Sequence, residues 1–382
     1  MASEGTHHEH RAERDHDLST TEGVLAYLAG TRFAGARAEG LAGGTANWTY
    51  RVYLEGGAGT VVVKHARGYV ASVGPGGFKF GVERQAVEVE AMRRVGAGLA
   101  EGGGEGVRVP EVYLFDEERH VIVMEDAGEG AVTLKQLLTE GAASKEVCAG
   151  IGAALGGWLR GLHEWGREGG AAAEAGALEV FDGNAVGRWV TGWATYGRLA
   201  DTVAGRGGVG ALDEPPLGVG EEAVEVLREV ARVRAREIAE SRETMTMGDF
   251  WPGNVMVDLG ADGGVRMCVV DWELGKLGLG GLDVGQFCAE VALVMRFVEG
   301  GREGAGALLR GFVDGYAGPA GMAEAVARVA VVHAGAHLAV WTGRVGWGAR
   351  EQTRAVVREG VDLVVDGYGG AGAVSLVEKL LY

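Results

Sequence analysis

Met247-Gly248-Asp249-Phe250-Trp251-Pro252-Gly253-Asn254 and, after a strand and a turn, Val269-Val270-Asp271-Trp272-Glu273 carry the strongest signal in this chain. Asp249 and Asn254 stand five residues apart on one loop, and Asp271 ends an apolar strand, Met267-Cys268-Val269-Val270. The combination suits phosphoryl transfer, which needs a carboxylate to orient a hydroxyl and accept its proton, and further oxygen ligands to hold magnesium against phosphates. Singly the pieces are ordinary, since Gly-Asp and Gly-Asn are turn dipeptides and an aspartate after an apolar strand often opens a loop. Joined at this spacing, they point to chemistry.

Upstream, the first part of the chain is patterned as sheet. Tyr50-Arg51-Val52-Tyr53-Leu54 and Thr60-Val61-Val62-Val63-Lys64 read as the arms of a hairpin across Glu55-Gly56-Gly57-Ala58-Gly59, entered through Gly43-Gly44-Thr45. Ser19, Thr20 and Thr21 ahead of Glu22 offer a helix start, with Val24, Leu25 and Leu28 at helical spacing. A helix is expected near Val82 to Val95, broken by the glycine-rich run 96–106, and strands at Val107 to Phe115 and His120 to Met124. Beyond Met124 helices dominate, at 134–138, 145–163, 184–200, 221–240 and 282–298, with apolar positions three and four apart. The Gly/Ala-rich pieces 166–177 and 204–211 read as surface loops. Lys64 closes its apolar strand, and Glu83, Glu88 and Glu90 are the candidate partners. Glu88 lies three, four and seven residues before Ala91, Met92 and Val95, on the inward stripe, whereas Glu90 aligns with Arg94 on a solvated face.

Composition bounds the function from outside. Of 382 residues 70 are glycine but only 6 are proline, at irregular intervals, which excludes collagen. A hydrophobic share of 47% with 9 each of Trp, Tyr and Phe supports a large core and argues against disorder. Gly, Ala, Val, Asp and Glu share codons beginning with G, so most glycines are expected to be compositional; Gly43, Gly44, Gly248, Gly253 and Gly285 stand apart by position. With 36 Lys+Arg against 53 Asp+Glu the net charge is -17, which opposes binding to nucleic acid or to an anionic membrane. The longest apolar stretch, Val326 to Trp341, is interrupted by Arg328, His333 and His337, and the N-terminus is polar, so neither a membrane span nor a signal peptide is expected. Three cysteines without CxxC spacing suit free thiols in the cytoplasm. The sequence leaves the oligomeric state unknown.

The two loops resemble those of the aminoglycoside phosphotransferase/choline kinase-like family, small-molecule kinases whose catalytic loop reads HGDxxxxN and whose metal loop reads IDWE. The resemblance extends over most of the chain. It implies an α+β, bilobal, protein-kinase-like fold: a disordered tail at 1–19, a sheet-rich nucleotide-binding N-lobe at 20–126, and a mainly helical C-lobe at 127–382 that carries the catalytic and metal loops and the acceptor-binding helices. It implies ATP and Mg2+ as cofactors, and as acceptor a hydroxyl of a small molecule: an amino sugar, a choline-like alcohol or a methylthioribose-like sugar. Asp249 matches the catalytic aspartate, Asn254 and Asp271 the magnesium ligands, and Glu273 the second acidic position of the metal loop. Leu41-Ala42-Gly43-Gly44-Thr45-Ala46-Asn47 looks like the phosphate loop LxGGxxN, where Gly43 and Gly44 let backbone N–H groups approach phosphate. Lys64 is then the phosphate lysine, and Arg84-Gln85-Ala86-Val87-Glu88 looks like the RxxxE helix start that supplies Glu88 as its partner.

Met124-Glu125-Asp126-Ala127 resembles the family's hinge, where Met124, Glu125 and Ala127 face adenine. Leu155 to His163 matches LGxWLxxLH, and Gly281-Leu282-Asp283-Val284-Gly285 the DxG whose aspartate anchors the catalytic loop and fits a helix N-cap. The acceptor site is implied to lie on helices at 184–240 and 322–365, with Trp193, Tyr196, His333, His337, Trp341, Arg344 and Trp347 as candidate lining. Met247 departs from the family's histidine, and a nucleotide-binding pseudokinase with a regulatory or scaffold role is the alternative that this departure leaves.

Overall fold

The computed structural model describes residues 16–99, 106–167, 169–174, 176–260, 263–369 and 379–380; most of the expected tail at 1–19 lies outside them. The first helix, Thr21–Leu28, is capped by Thr20, whose hydroxyl accepts from Gly23 N–H, and it buries Val24 and Leu28. Three strands follow, β1 (Gly35–Gly40), β2 (Trp48–Leu54) and β3 (Thr60–His65). After the helix Arg84–Leu99 come β4 (Val107–Arg108), β5 (Val112–Asp116) and β6 (Val121–Glu125). Five of these strands form an antiparallel sheet in the order β1-β2-β3-β6-β5. Successive side chains on a strand face opposite ways. Val61 and Val63 of β3 therefore pack on the first helix, while Val62 and Lys64 face the helix Arg84–Leu99 and the cleft.

The strand expected over 107–115 is in fact two. Pro110 has no N–H to donate and interrupts the ladder. The two halves then join different sheets: β5 stays with β6, while β4 pairs in parallel with a strand from much later in the chain, β10. The remaining strands are β7 (Val132–Thr133), β8 (Thr244–Thr246), β9 (Val255–Leu259), β10 (Val265–Val269) and β11 (Lys276–Gly278). They build a sheet β4-β10-β9-β7 and the pair β11-β8, which present the two functional loops. Strands β1, β7, β8 and β11 escape the sequence reading because each is short or carries Gly, Lys and Thr without an apolar run.

The rest is helical, as the order of elements implies. Lys145–Trp165, Glu221–Glu240, Gly280–Phe297, Arg302–Ala317, Glu324–Val345 and Arg350–Tyr368 form the bulk of it. Three details differ from expectation. The helix Arg84–Leu99 continues through Gly96 and Gly98, which were expected to break it. The helix over 184–200 is interrupted by a π turn, Gly192–Tyr196, between Ala185–Thr191 and Gly197–Val203. Several helix glycines are also structural rather than compositional. Lys145–Trp165 and Arg302–Ala317 cross backbone to backbone: a Cβ on Gly156 would lie 2.0 Å from Phe312 O, on Gly152 2.2 Å from Leu308 O, and on Gly315 2.3 Å from Ala153 O. Glu324–Val345 is long and apolar enough to cross a membrane, but 67% of its apolar window is buried among neighbouring helices.

Candidate active site

Strand β8 leads into the loop that holds Asp249, and β9 leads out of it after the short turn Pro252–Asn254. The loop is pinned at its start. Met247 N–H and Gly248 N–H donate to Asp283 Oδ2 (2.8 Å) and Oδ1 (2.9 Å), and His163 Nε2 lies 3.4 Å from Asp283 Oδ2. Asp283 does this from inside the helix Gly280–Phe297 rather than from its cap, which is Leu279. Gly248 sits at φ +82°, and a Cβ there would meet Leu274 O and Lys276 Nζ at 2.4 Å, so the turn admits only glycine. Met247, in the place of the family's histidine, is buried in the core.

Asp249 is held on both sides. Gln286 Nε2 donates to its Oδ1 (2.6 Å), and Asn254 Nδ2 donates to its Oδ2 (3.1 Å) and its carbonyl (2.9 Å). Burial, with the charge of Asp271 second, pushes the Asp249 carboxyl up to about 6, while Gln286, Asn254 and His337 pull the other way. Gln286 was missed by sequence reasoning. The available signal is its place three residues after Asp283, on the same helix face.

Asp271 follows two residues after strand β10 and adopts φ +70°, an uncommon backbone for a non-glycine residue. Val270 N–H donates to Asn254 O (2.9 Å), which brings the two loops side by side. Lys64 Nζ donates to Asp271 Oδ1 (2.6 Å) and Glu88 Oε1 (2.7 Å). Burial disfavours the lysine's charge, but Asp271 and Glu88 outweigh it and hold its pKa above the ordinary lysine value.

Glu273 departs from the simple metal-ligand expectation. Its Oε2 accepts from Asn47 Nδ2 (2.9 Å) and Arg84 Nε (3.0 Å), so one oxygen is committed to a brace. The fully buried Arg84 also donates to Asn47 Oδ1 and to the carbonyls of Phe80, Gly81, Arg67 and Ala46. It ties the glycine loop to the metal loop. In that glycine loop Gly43 takes φ +116°, whereas a Cβ on Gly44 would find Thr49 Oγ1 at an ordinary 3.8 Å, so the protein's own packing does not require glycine at 44.

At the hinge Met124 is buried, and Glu125 has less to offer than expected, because its N–H donates to Glu111 O (2.8 Å) and its carboxylate accepts from Arg108 (2.5 Å). Ala127 follows Asp126, which accepts from Arg51 at 2.5 and 2.9 Å.

The acceptor-side candidates separate into two groups. His337 Nε2 lies 2.8 Å from Glu290 Oε1, Trp341 Nε1 donates to Thr195 Oγ1 (3.2 Å), and Tyr196 OH lies 2.9 Å from His333 Nδ1. Lys135 Nζ stands 3.6 Å from Glu290 Oε2, 5.0 Å from the Trp251 ring and 4.2 Å from the Trp347 ring. Among the described residues neither Glu290 Oε2 nor Trp347 Nε1, both buried, finds a hydrogen-bond partner. Arg344 belongs elsewhere: it donates to Val340 O and Gly207 O and braces a loop.

Residues 37–325 match the Phosphotransferase enzyme family. The chain is 31% identical over 358 residues to a 4-hydroxytryptamine kinase of Psilocybe cyanescens, covering 91% of this chain and 92% of that one. It is 28% identical over 377 residues to a 4-hydroxytryptamine kinase of Psilocybe cubensis, with 96% and 98% covered. The GDP and kanamycin complex of APH(2")-IIia has the same fold at 10% identity, with a TM-score of 0.52 over 92% of this chain and 99% of that one. Kinase relatives over nearly the whole length leave the pseudokinase alternative without support. The chain belongs to the phosphotransferase enzyme family, as one of its small-molecule kinases.

Proposed function

We propose that the chain transfers the γ-phosphate of ATP to the hydroxyl of a small cationic amine, with hydroxytryptamines as the acceptor class. The observation that carries the reaction is Asp249, a half-buried carboxylate fixed by one amide donor on each oxygen. Held this way, Asp249 accepts the proton of the acceptor hydroxyl, and Gln286 and Asn254 keep it aimed. Lys64, fixed by Glu88 and Asp271, meets phosphate charge, and Gly43 and Gly44 offer backbone N–H groups to phosphate oxygens. Met124 and Ala127 take the adenine side, with Glu125 contributing through its carbonyl.

The donor set fits a hard divalent cation. Asn254 spends its Nδ2 on Asp249, which leaves its Oδ1 for a ligand, and Asp271 has a second carboxylate oxygen besides the one bonded to Lys64. Asn254 and Asp271 would hold Mg2+, and Glu273, backed by Arg84, stands within 4.8 Å of the Asp271 and Glu88 oxygens. ATP and Mg2+ supply the transferable phosphoryl group and the neutralisation of its charge.

For the acceptor, Glu290, Trp251 and Trp347 are a carboxylate and two indoles around an ammonium, here that of Lys135. Such a set favours a cation. Trp347 Nε1, buried without a hydrogen-bond partner among the described residues, adds a donor for a further ligand, and the two 4-hydroxytryptamine kinases support the same class. ADP release by the purified protein with ATP and Mg2+ tests the reading. 4-Hydroxytryptamine is expected to give the highest kcat/KM among 4-hydroxytryptamine, choline, an aminoglycoside and methylthioribose; a higher value for any of the other three removes the acceptor assignment.

A further inference from the structure

Residues 67–80 fold back on themselves between β3 and the helix Arg84–Leu99. Val70 N–H donates to Phe78 O and Phe80 N–H to Gly68 O, both at 3.1 Å, and Tyr69 bridges Lys79, so the segment is a small hairpin strap. It is attached to three different parts of the site. At the base, Arg84 holds the carbonyls of Arg67, Phe80 and Gly81 with the guanidinium that also holds Asn47 and Glu273. Along one arm, Ala71 N–H and Ser72 N–H donate to Ala46 O (3.2 Å) and Thr45 O (3.0 Å), in the glycine loop. On the other arm, Phe78 reaches the helical side of the cleft. Its ring stacks on Trp189 (5.6 Å between centroids, 8° between planes) and on Trp193 (5.5 Å, 11°), which stack on each other (5.2 Å, 9°).

The tryptophans begin a row of side chains that runs to His337. Trp193 is presented by the π turn Gly192–Tyr196, a geometry frequent at functional sites. Arg198 lies 4.0 Å from the Trp193 ring and 5.9 Å from that of Trp341. Trp341 stacks on His337 at 6.1 Å, and His337 Nε2 lies 2.8 Å from Glu290 Oε1. Core packing does not account for the outer end of this row, because Trp189 is 51% and Trp193 37% exposed.

We propose that the strap 67–80 closes the acceptor side of the cleft and that Phe78 is its positioning residue. Seated on Trp189 and Trp193, Phe78 holds the strap in place, and through Ala71 and Ser72 the strap fixes the glycine loop. The proposal rests on the phosphotransferase reading above. An acceptor lying along the aromatic row stabilises the seated strap, and the seated strap stabilises the loop that meets phosphate. One ordering event then serves two ligands, so each tightens the binding of the other by the same factor. Closure also keeps water from competing with the acceptor hydroxyl.

The test compares the full-length wild type with Phe78→Ala, Trp189→Ala and the conservative Phe78→Trp. Affinity for a non-hydrolysable ATP analogue with Mg2+ is measured with and without 4-hydroxytryptamine, and ADP release is followed in parallel. In the wild type, 4-hydroxytryptamine is expected to tighten analogue binding at least about 5-fold, the low end of ordinary couplings. Both alanine variants are expected to abolish that coupling, to bind the analogue alone more weakly than the wild type because the glycine loop loses its support, to raise KM for the acceptor, and to hydrolyse more ATP per phosphate transferred; Phe78→Trp keeps the coupling. A wild type that phosphorylates 4-hydroxytryptamine without coupling, or a Phe78→Ala variant that retains it, overturns the strap and leaves the kinase reading standing. A wild type that phosphorylates no hydroxyl compound overturns both.

Discussion

Asp249, half-buried in the catalytic loop, and Lys276, buried beside that loop, make opposite demands on the protein. For Asp249→Asn the shape of the loop is kept, because Asp283 holds Met247 and Gly248 from below. Turnover is expected to fall roughly 100- to 10,000-fold, the usual worth of a positioned base, with nucleotide affinity unchanged. Retained turnover, measured as ADP release with a confirmed acceptor, removes Asp249 from that role. Lys276 is a cost rather than an asset for stability. Its Nζ is buried with Leu274 O as a hydrogen-bond acceptor at 3.3 Å, and burial, partly offset by Asp283, pushes its pKa down to about 8 from 10.5. Below about 8 both folded and unfolded chains carry this proton and the folded state bears the whole penalty. Between about 8 and 10.5 only the unfolded chain binds it, so this group makes stability rise with pH across that window. Lys276→Met is therefore expected to raise Tm at pH 7, and the gain to shrink as pH climbs from 8 toward 10.5; a constant gain over that range means that the charge is not the cause.

Among the helices, glycine has two separable meanings. Gly150 and Gly161 lie within Lys145–Trp165 with nothing within 4 Å of a Cβ built on them, while Gly152 and Gly156 on the same helix press against the backbone of Arg302–Ala317. Gly161→Ala is expected to stabilise by up to about 1 kcal/mol, the helix-propensity difference. Gly156→Ala is expected to lower Tm by more than that gain raises it, because the added methyl would meet Phe312 O and the rigid backbone has to shift. Thermal melts of the two single variants check this, and equal effects would contradict it. Here composition misled the sequence reading: with 70 glycines, those at a helix crossing look no different from those on a surface. What distinguishes them is the partner helix, and Arg302–Ala317 was not foreseen at all. The hairpin β2-β3, the inward face of Glu88 and the two functional loops were legible because alternation, helical spacing and loop chemistry are local properties. Gln286, Arg84 and the split of 107–115 were not, because each is defined by what meets it across the fold.

Across the whole molecule, Arg84 joins segments far apart in sequence. Its guanidinium binds Asn47 of the glycine loop and Glu273 of the metal loop, and the side chain is fully buried. Arg84→Leu leaves Glu273 buried without its counter-charge, a loss expected to cost roughly 3–5 kcal/mol. The double variant Arg84→Leu/Glu273→Leu is expected to recover part of that loss, and chemical denaturation of the three proteins measures it. A double variant no more stable than Arg84→Leu argues that Glu273 is not the group left stranded. Strand β4 has a related effect at this scale. Although it precedes the hinge in sequence, it is an edge strand of the sheet whose strand β10 leads to Asp271. If the chain were expressed as two pieces divided after Ala127, the second piece would display the bare edge of β10, and the first would carry the strand that fits it. That edge is two residues long, so main-chain pairing there sets the register in which two such fragments would dock, while the side chains around it have to supply the affinity.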